Sequence, residues 1–169
     1  RHWVLTELAY RCGLALRQRG LQVTTAESCT GGGIAEAITR IEGSSAWFAQ
    51  GWVTYSNAAK VAQLGVPQLM LDAHGAVSYE VVAAMAEGAR QRADADWSIA
   101  VSGVAGPGGG SLEKPVGTVW LAWASRHETQ VQCRHFAGDR MQVREQTVVV
   151  ALEELIKWVC RSELGTPVP

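Results

Sequence analysis

The sequence predicts an α/β fold, a three-layer α/β/α sandwich around a mixed sheet, in a single domain. Three observations predict it. Strand-like and helical segments alternate through the first two thirds of the chain, and two strand-like segments then follow one another directly. No repeat, linker or shift of composition divides the 169 residues. A chain of this length suits one domain at the usual ~100–200 residues and can bury roughly 70% of its unfolded surface. The domain is expected over residues 1–164, with a frayed Pro-containing tail from Gly165 to Pro169.

The elements follow in order. Val4, Leu5, Leu8, Cys12, Ala15 and Leu16 recur at helical spacing, and Gly20 closes that helix. Leu21 to Thr25 alternates in β fashion and runs into Glu27-Ser-Cys-Thr-Gly-Gly-Gly33, after which Ile34 to Ile41 has helical character. A second strand fits Gln50 to Tyr55, and Asn57 is placed to cap a short helix that ends near Gly65. Tyr79 to Arg92, rich in Ala and Val, is a helix, and Trp97 to Val101 has strand length. Val116 to Ala124 and Thr129 to Phe136 form two consecutive strands, a hairpin turning at Arg126 to Glu128. Asp139 caps a long last helix through Cys160, with Val148, Leu152, Leu155, Ile156 and Val159 on its apolar face. Most of the seven tryptophans fall in these elements and are expected in the core.

Composition excludes several classes. Hydrophobic residues are 47% of the chain and charged ones 18%, which is not the balance of a disordered segment. Fifteen basic against 16 acidic residues argue against a nucleic-acid partner, whose footprint is a strongly basic surface. Cys12, Cys29, Cys133 and Cys160 form no CxxC pair, so reduced thiols are expected. His2, His74, His127 and His135 form no HExxH and stand at no metal-site spacing from a cysteine, so no metal is expected. No apolar run approaches the ~20 residues that span a bilayer, and no signal-peptide core opens the chain, so the cytoplasm is the expected location. Because the numbering starts at Arg1, a short segment is expected ahead of it.

The chemistry gathers at the glycine clusters, since the 18 glycines exceed the ~7% average and are not spread evenly. Ala26-Glu-Ser-Cys-Thr-Gly-Gly-Gly33 follows a strand and opens a helix, the place where α/β sheets bind ligands. There Ser28 suits a nucleophile, with Thr30, Gly31 and Gly32 as neighbours able to hold an oxyanion or substrate. The same residues also suit a helix cap and a tight turn. It is not a GxSxG elbow, because Ala26 and Thr30 occupy the glycine positions. Cys29 is a rival nucleophile without a histidine placed to activate it. Tyr55 and Lys60 are one residue too far apart for Tyr-x-x-x-Lys, and no G-x-G-x-x-G follows the first strand, which disfavours a dinucleotide dehydrogenase. Ser102 to Gly110 lacks the ending of a phosphate loop and also suits a plain connector. Arg140 and Arg144 lie four apart at the start of the last helix, a pair suited to a phosphate or to surface acids.

Taken together, these segments resemble one family. Thr25-Ala-Glu-Ser-Cys-Thr-Gly-Gly32, Gly43-Ser-Ser-Ala-Trp-Phe48, Val53-Thr-Tyr-Ser-Asn-Ala-Ala-Lys60, Val101-Ser-Gly-Val-Ala-Gly-Pro107, Lys114-Pro-Val-Gly-Thr-Val-Trp120 and Gly138-Asp-Arg140 occur in the order found in the CinA C-terminal-domain family. The family's enzymes are nicotinamide-nucleotide amidases. The resemblance implies a serine nucleophile at Ser28, a lysine base at Lys60, an active-site tyrosine at Tyr55, and ligand contacts at Ser102, Gly103 and Arg140. It implies nicotinamide mononucleotide as substrate, no cofactor, and no nucleic-acid or membrane partner; a homo-oligomer is compatible with it. The rival class is a non-catalytic module that binds pyridine nucleotides or serves a partner protein. Both classes predict binding, and only the enzyme predicts ammonia.

Overall fold

The computed structural model describes residues 2–161; the expected tail from Gly165 lies outside them. A five-stranded sheet has the order β2-β1-β3-β4-β5, with β1 (Val23–Glu27), β2 (Phe48–Val53), β3 (Trp97–Gly103), β4 (Thr118–Ser125) and β5 (Thr129–His135). β2, β1 and β3 run parallel, while β4 and β5 return antiparallel through the hairpin expected at 126–128. The sheet is therefore mixed, as the element order predicted.

Helices cover both faces. On one, α1 (His2–Arg19), α2 (Gly33–Thr39) and α6 (Arg140–Arg161) bury Leu16, Ile34 and Leu152 against Ile99, Leu121 and Trp123. On the other, α3 (Asn57–Leu64), α4 (Gln68–His74) and α5 (Tyr79–Ala93) bury Leu64, Leu71 and Met85 against Ala26, Ala100 and Ala122. Small alanines on that sheet face let α5 lie close. The indole of Trp123 donates to the Ala151 carbonyl at 3.0 Å, which pins α6 to the sheet centre.

Three expectations need correction. β1 does not alternate between buried and exposed: all five residues are buried, because a central strand of a sandwich has no solvent face. Trp47, Trp97 and Trp123 are fully buried and Trp52, Trp120 and Trp158 pack against the core partly buried, whereas Trp3 on α1 is 78% exposed. Asn57 is not the cap of α3. Ser56 holds that position in an extended conformation, its hydroxyl accepting from the Ala59 amide at 3.0 Å. α4 was not foreseen; it is short and lacks a side-chain cap. Asp139 does cap α6, accepting from the Gln142 amide while Gln142 returns a bond to the Asp139 amide.

Candidate active site

The carboxyl ends of the three parallel strands stand level, Glu27 beside Val53 on one side and beside Val101 on the other. The chain leaves β1 toward α2 on one face and leaves β2 toward α3 on the opposite face, so a crevice opens at this edge. Ser28, Thr54 and Ser102, each one residue beyond those partners, emerge side by side. The crevice is a pocket of about 320 Å³ lined by Ser28, Tyr55, Lys60, Ser102, Gly103 and Arg140, among others.

Lys60 lies in the first turn of α3, yet it is only 1% exposed. Side chains on a helix lean toward its N-terminus, so Nζ is carried back past Ser56 into the pocket floor. There it stands 3.0 Å from Ser28 Oγ and donates to the carbonyls of Thr54, at 2.9 Å, and Tyr55, at 3.3 Å. Among the described residues, no carboxylate is in contact with it. Burial lowers the Lys60 pKa from the ordinary lysine value, with Cys29 acting in the opposite sense. The positive end of α3 adds to the disfavour of an ammonium there.

Tyr55 divides its parts. Its carbonyl faces Lys60 and lies 3.5 Å from Ser28 Oγ, while its phenol swings to the exposed rim and accepts from Arg140 at 3.0 Å. Arg140 also donates to the Gly106 carbonyl at 2.8 Å. Two of the five N–H groups of a guanidinium are thus engaged, and the rest are available to a ligand at the pocket rim.

Other predicted residues sit differently. Thr30 is buried and gives its hydroxyl to Glu27, so it faces away from the pocket. The amide of Gly31 donates to the Ser28 carbonyl. Neither Gly31 nor Gly32 is among the residues that line the pocket; their left-handed φ values, +58° and +104°, let the turn reverse into α2. Arg144 is turned from the pocket and donates to the Thr30 carbonyl at 3.1 Å. Cys29 lines the pocket, but burial pushes its thiol up to about 11, which leaves it neutral and a poor nucleophile. No histidine lines the pocket.

Sequence reasoning gave Glu27 no role. It is fully buried and takes the amides of Ile34 and Ala35 at 2.8 and 3.0 Å. Burial raises its pKa while these donors oppose the rise. An acid just ahead of a glycine turn and a helix was the available signal.

The CinA C-terminal domain family model matches residues 5–159. The chain belongs to this family. Among CinA-family relatives, the nicotinamide-nucleotide amidohydrolase PncC of Pseudomonas putida is 60% identical over 153 residues, covering 90% of this chain and 96% of that protein. The protein of the same name from Escherichia coli (strain K12) is 53% identical over 152 residues, covering 89% and 92%. A crystal structure of a CinA superfamily protein from Klebsiella pneumoniae 700603 matches with a TM-score of 0.90 at 41% identity, covering 93% of this chain and 98% of the other. The fold and the mixed sheet are those of the CinA family.

Proposed function

We propose that this chain is a nicotinamide-nucleotide amidohydrolase that converts nicotinamide mononucleotide to nicotinate mononucleotide and ammonia through a Ser28–Lys60 dyad. The observation that carries the reading is a buried lysine without a carboxylate partner, 3.0 Å from a serine hydroxyl at the edge where an α/β sheet binds ligands. A solvated surface lysine does none of this. The relatives' names supply the substrate class.

The neutral amine of Lys60 keeps two N–H groups on the Thr54 and Tyr55 carbonyls, and its lone pair then faces Ser28. Ser28 donates its proton to Nζ as Oγ attacks the carboxamide carbon. The tetrahedral intermediate collapses when Nζ–H protonates the departing nitrogen, which releases ammonia and leaves an acyl ester on Ser28. Water, deprotonated by Lys60, cleaves that ester to the carboxylate and restores the serine.

The oxyanion donor is assigned to the Gly103 amide. Val104 donates to Thr118 across the antiparallel ladder at 2.9 Å. Successive N–H groups alternate sides, so the amide of Gly103 points the other way, toward the space beyond the end of β1. The hydroxyl of Ser102, buried at the pocket wall, is a second donor. Arg140 takes the 5′-phosphate at the rim, tethering the substrate so that its carboxamide reaches Ser28.

Incubation with nicotinamide mononucleotide and an ammonia assay tests this directly. Ammonia release that is lost in Ser28→Ala, with nucleotide binding kept, is the expected result. Binding without ammonia from the wild-type chain would instead identify a non-catalytic nucleotide-binding module.

A further inference from the structure

Two charged side chains beside the nucleophile touch neither Lys60 nor the pocket. Glu27, the last residue of β1, directs its carboxylate beneath the turn that carries Ser28. Its Oε1 accepts from Thr30 Oγ1 at 2.5 Å and from the Ile34 amide at 2.8 Å, and Oε2 accepts from the Ala35 amide at 3.0 Å. Arg144, one turn along α6 from Arg140, reaches the same turn from outside, giving Nη2–H to the Thr30 carbonyl at 3.1 Å. That carbonyl also takes the Gly33 amide, and the Ser28 carbonyl takes the Gly31 amide. Thr30 is therefore held by its hydroxyl from the sheet side and by its carbonyl from the helix side.

The packing leaves little play. A Cβ placed on Gly31 would come within 3.1 Å of the same Nη2. A carboxylate with its acceptor sites filled by hydroxyl and amide donors is a rigid post. It occupies the helix terminus that an anionic ligand would otherwise use. The sequence offered Arg144 as a phosphate ligand alongside Arg140; in the structure Arg140 lines the pocket and Arg144 contacts the Thr30 carbonyl.

We propose that Glu27 and Arg144 form a two-sided clamp on Thr30 that fixes Ser28 Oγ against Lys60, so that Arg144 is a positioning residue and not a ligand of the substrate phosphate. The clamp rests on the dyad proposed above. A shift of about 1 Å in a reacting group can cost ~10²-fold in rate. Loosening the turn therefore acts on kcat and leaves KM nearly unchanged. Loss of a phosphate ligand would do the reverse, and only for substrates that carry a phosphate.

The test compares wild type, Arg144→Met, Arg144→Lys and Glu27→Gln on nicotinamide mononucleotide and on the phosphate-free riboside. Amide hydrogen exchange of the peptide spanning residues 28–35 is measured in parallel. Arg144→Met is expected to lower kcat about 10–100-fold on both substrates with KM little changed, and to speed exchange in that peptide selectively. Arg144→Lys, which keeps one donor for the carbonyl, is expected to recover part of both. Glu27→Gln turns an NH2 group toward amide and hydroxyl donors and is expected to repeat the kcat loss. A KM rise confined to the mononucleotide, or wild-type kcat and exchange in Arg144→Met, would overturn the clamp. If Arg144→Met does not fold, Arg144→Lys decides in its place: faster exchange with a several-fold lower kcat supports the clamp, and wild-type values overturn it. If the wild type releases no ammonia, the dyad reading falls, while exchange in the turn still judges the clamp.

Discussion

Replacing Lys60 tests the mechanism where the structure makes its strongest claim. A lysine with the ordinary pKa of 10.5 is neutral in roughly one molecule in 3,000 at pH 7, and each unit of lowering raises that fraction about tenfold. Burial at 1% exposure, the lack of a carboxylate contact and the first-turn position on α3 all act in that direction. Ammonia release is therefore expected to rise with pH along a limb set by a pKa below 10.5 and then level off. In Lys60→Met the limb disappears and turnover drops by ~10²–10⁴-fold, the usual worth of a positioned general base. Lys60→Arg does not rescue, because a guanidinium keeps its proton throughout this range. The same shift has a sign for stability. Between the lowered folded pKa and 10.5 the unfolded chain binds a proton that the folded chain does not, so stability rises with pH across that window. Because the buried thiols act in the opposite sense above 9.0, the Lys60 contribution is read as the difference between the thermal unfolding profiles of wild type and Lys60→Met, which should grow in favour of the wild type with pH across the window. Near-wild-type turnover by the arginine variant, or an unchanged limb in the methionine variant, would remove Lys60 from the mechanism.

Further outcomes follow from the same geometry. Ser28→Ala is expected to lower turnover by at least ~10³-fold while calorimetric nucleotide binding persists; retained activity there, with loss in Cys29→Ala, would reassign the nucleophile. Arg140→Ala is expected to weaken use of the mononucleotide by roughly 10–150-fold, the equivalent of ~1.5–3 kcal/mol for a charge-assisted bond. The riboside should change little, and equal losses on both would make Arg140 a support for Tyr55 and Gly106. A Cβ on Gly103 would meet Val119 Cγ2 at 2.6 Å and the Thr118 carbonyl at 2.8 Å. Gly103→Ala should therefore cost ~1–3 kcal/mol in denaturant unfolding and reduce kcat as the donor amide shifts. Burial pushes the Cys12 thiol up to about 12. Above its ordinary pKa of 9.0 the folded chain retains a proton that the unfolded chain releases, so stability falls with rising pH there, and Cys12→Ala should flatten that decline.

Periodicity and turn chemistry carry the fold because they are local. The helical stripe from Leu8 to Leu16 on α1 and the hairpin at 126–128 needed nothing beyond neighbouring residues. β1 was misjudged in character, since Thr24 and Thr25 look outward in a list of residue types yet lie under α-helices on both faces. Their burial is a tertiary fact. Ser28, Lys60 and Arg140 were legible as candidates, and the structure brings all three to one pocket. Thr30, Gly31 and Gly32 shared the same glycine-rich stretch, but whether an amide there faces substrate or another backbone atom depends on the turn's hydrogen bonds. Arg144 shows the limit most clearly. Four residues from Arg140, it shares a helix face by spacing alone, and only the position of Thr30 reveals which partner it takes.

Two helix N-termini meet at Ser28, the proposed nucleophile, and the chain treats them oppositely. At α2 the amides are closed by the carboxylate of Glu27, a residue of the strand that feeds the turn. At α3 the cap is the neutral hydroxyl of Ser56, and a lysine is drawn back toward the same positive end. A carboxylate at α3 would pair with Lys60 and hold it as an ammonium, useless as a base. An open N-terminus at α2 would leave the Ser28 turn to the solvent and to passing anions. Placing the acid under the nucleophile's turn, and keeping acids from the lysine's contacts, gives a fixed serine beside an amine that can be neutral. Glu27 is thus fully buried against the amides of the turn and lines no part of the pocket, so its contribution to the proposed reaction should appear in kcat with KM little changed.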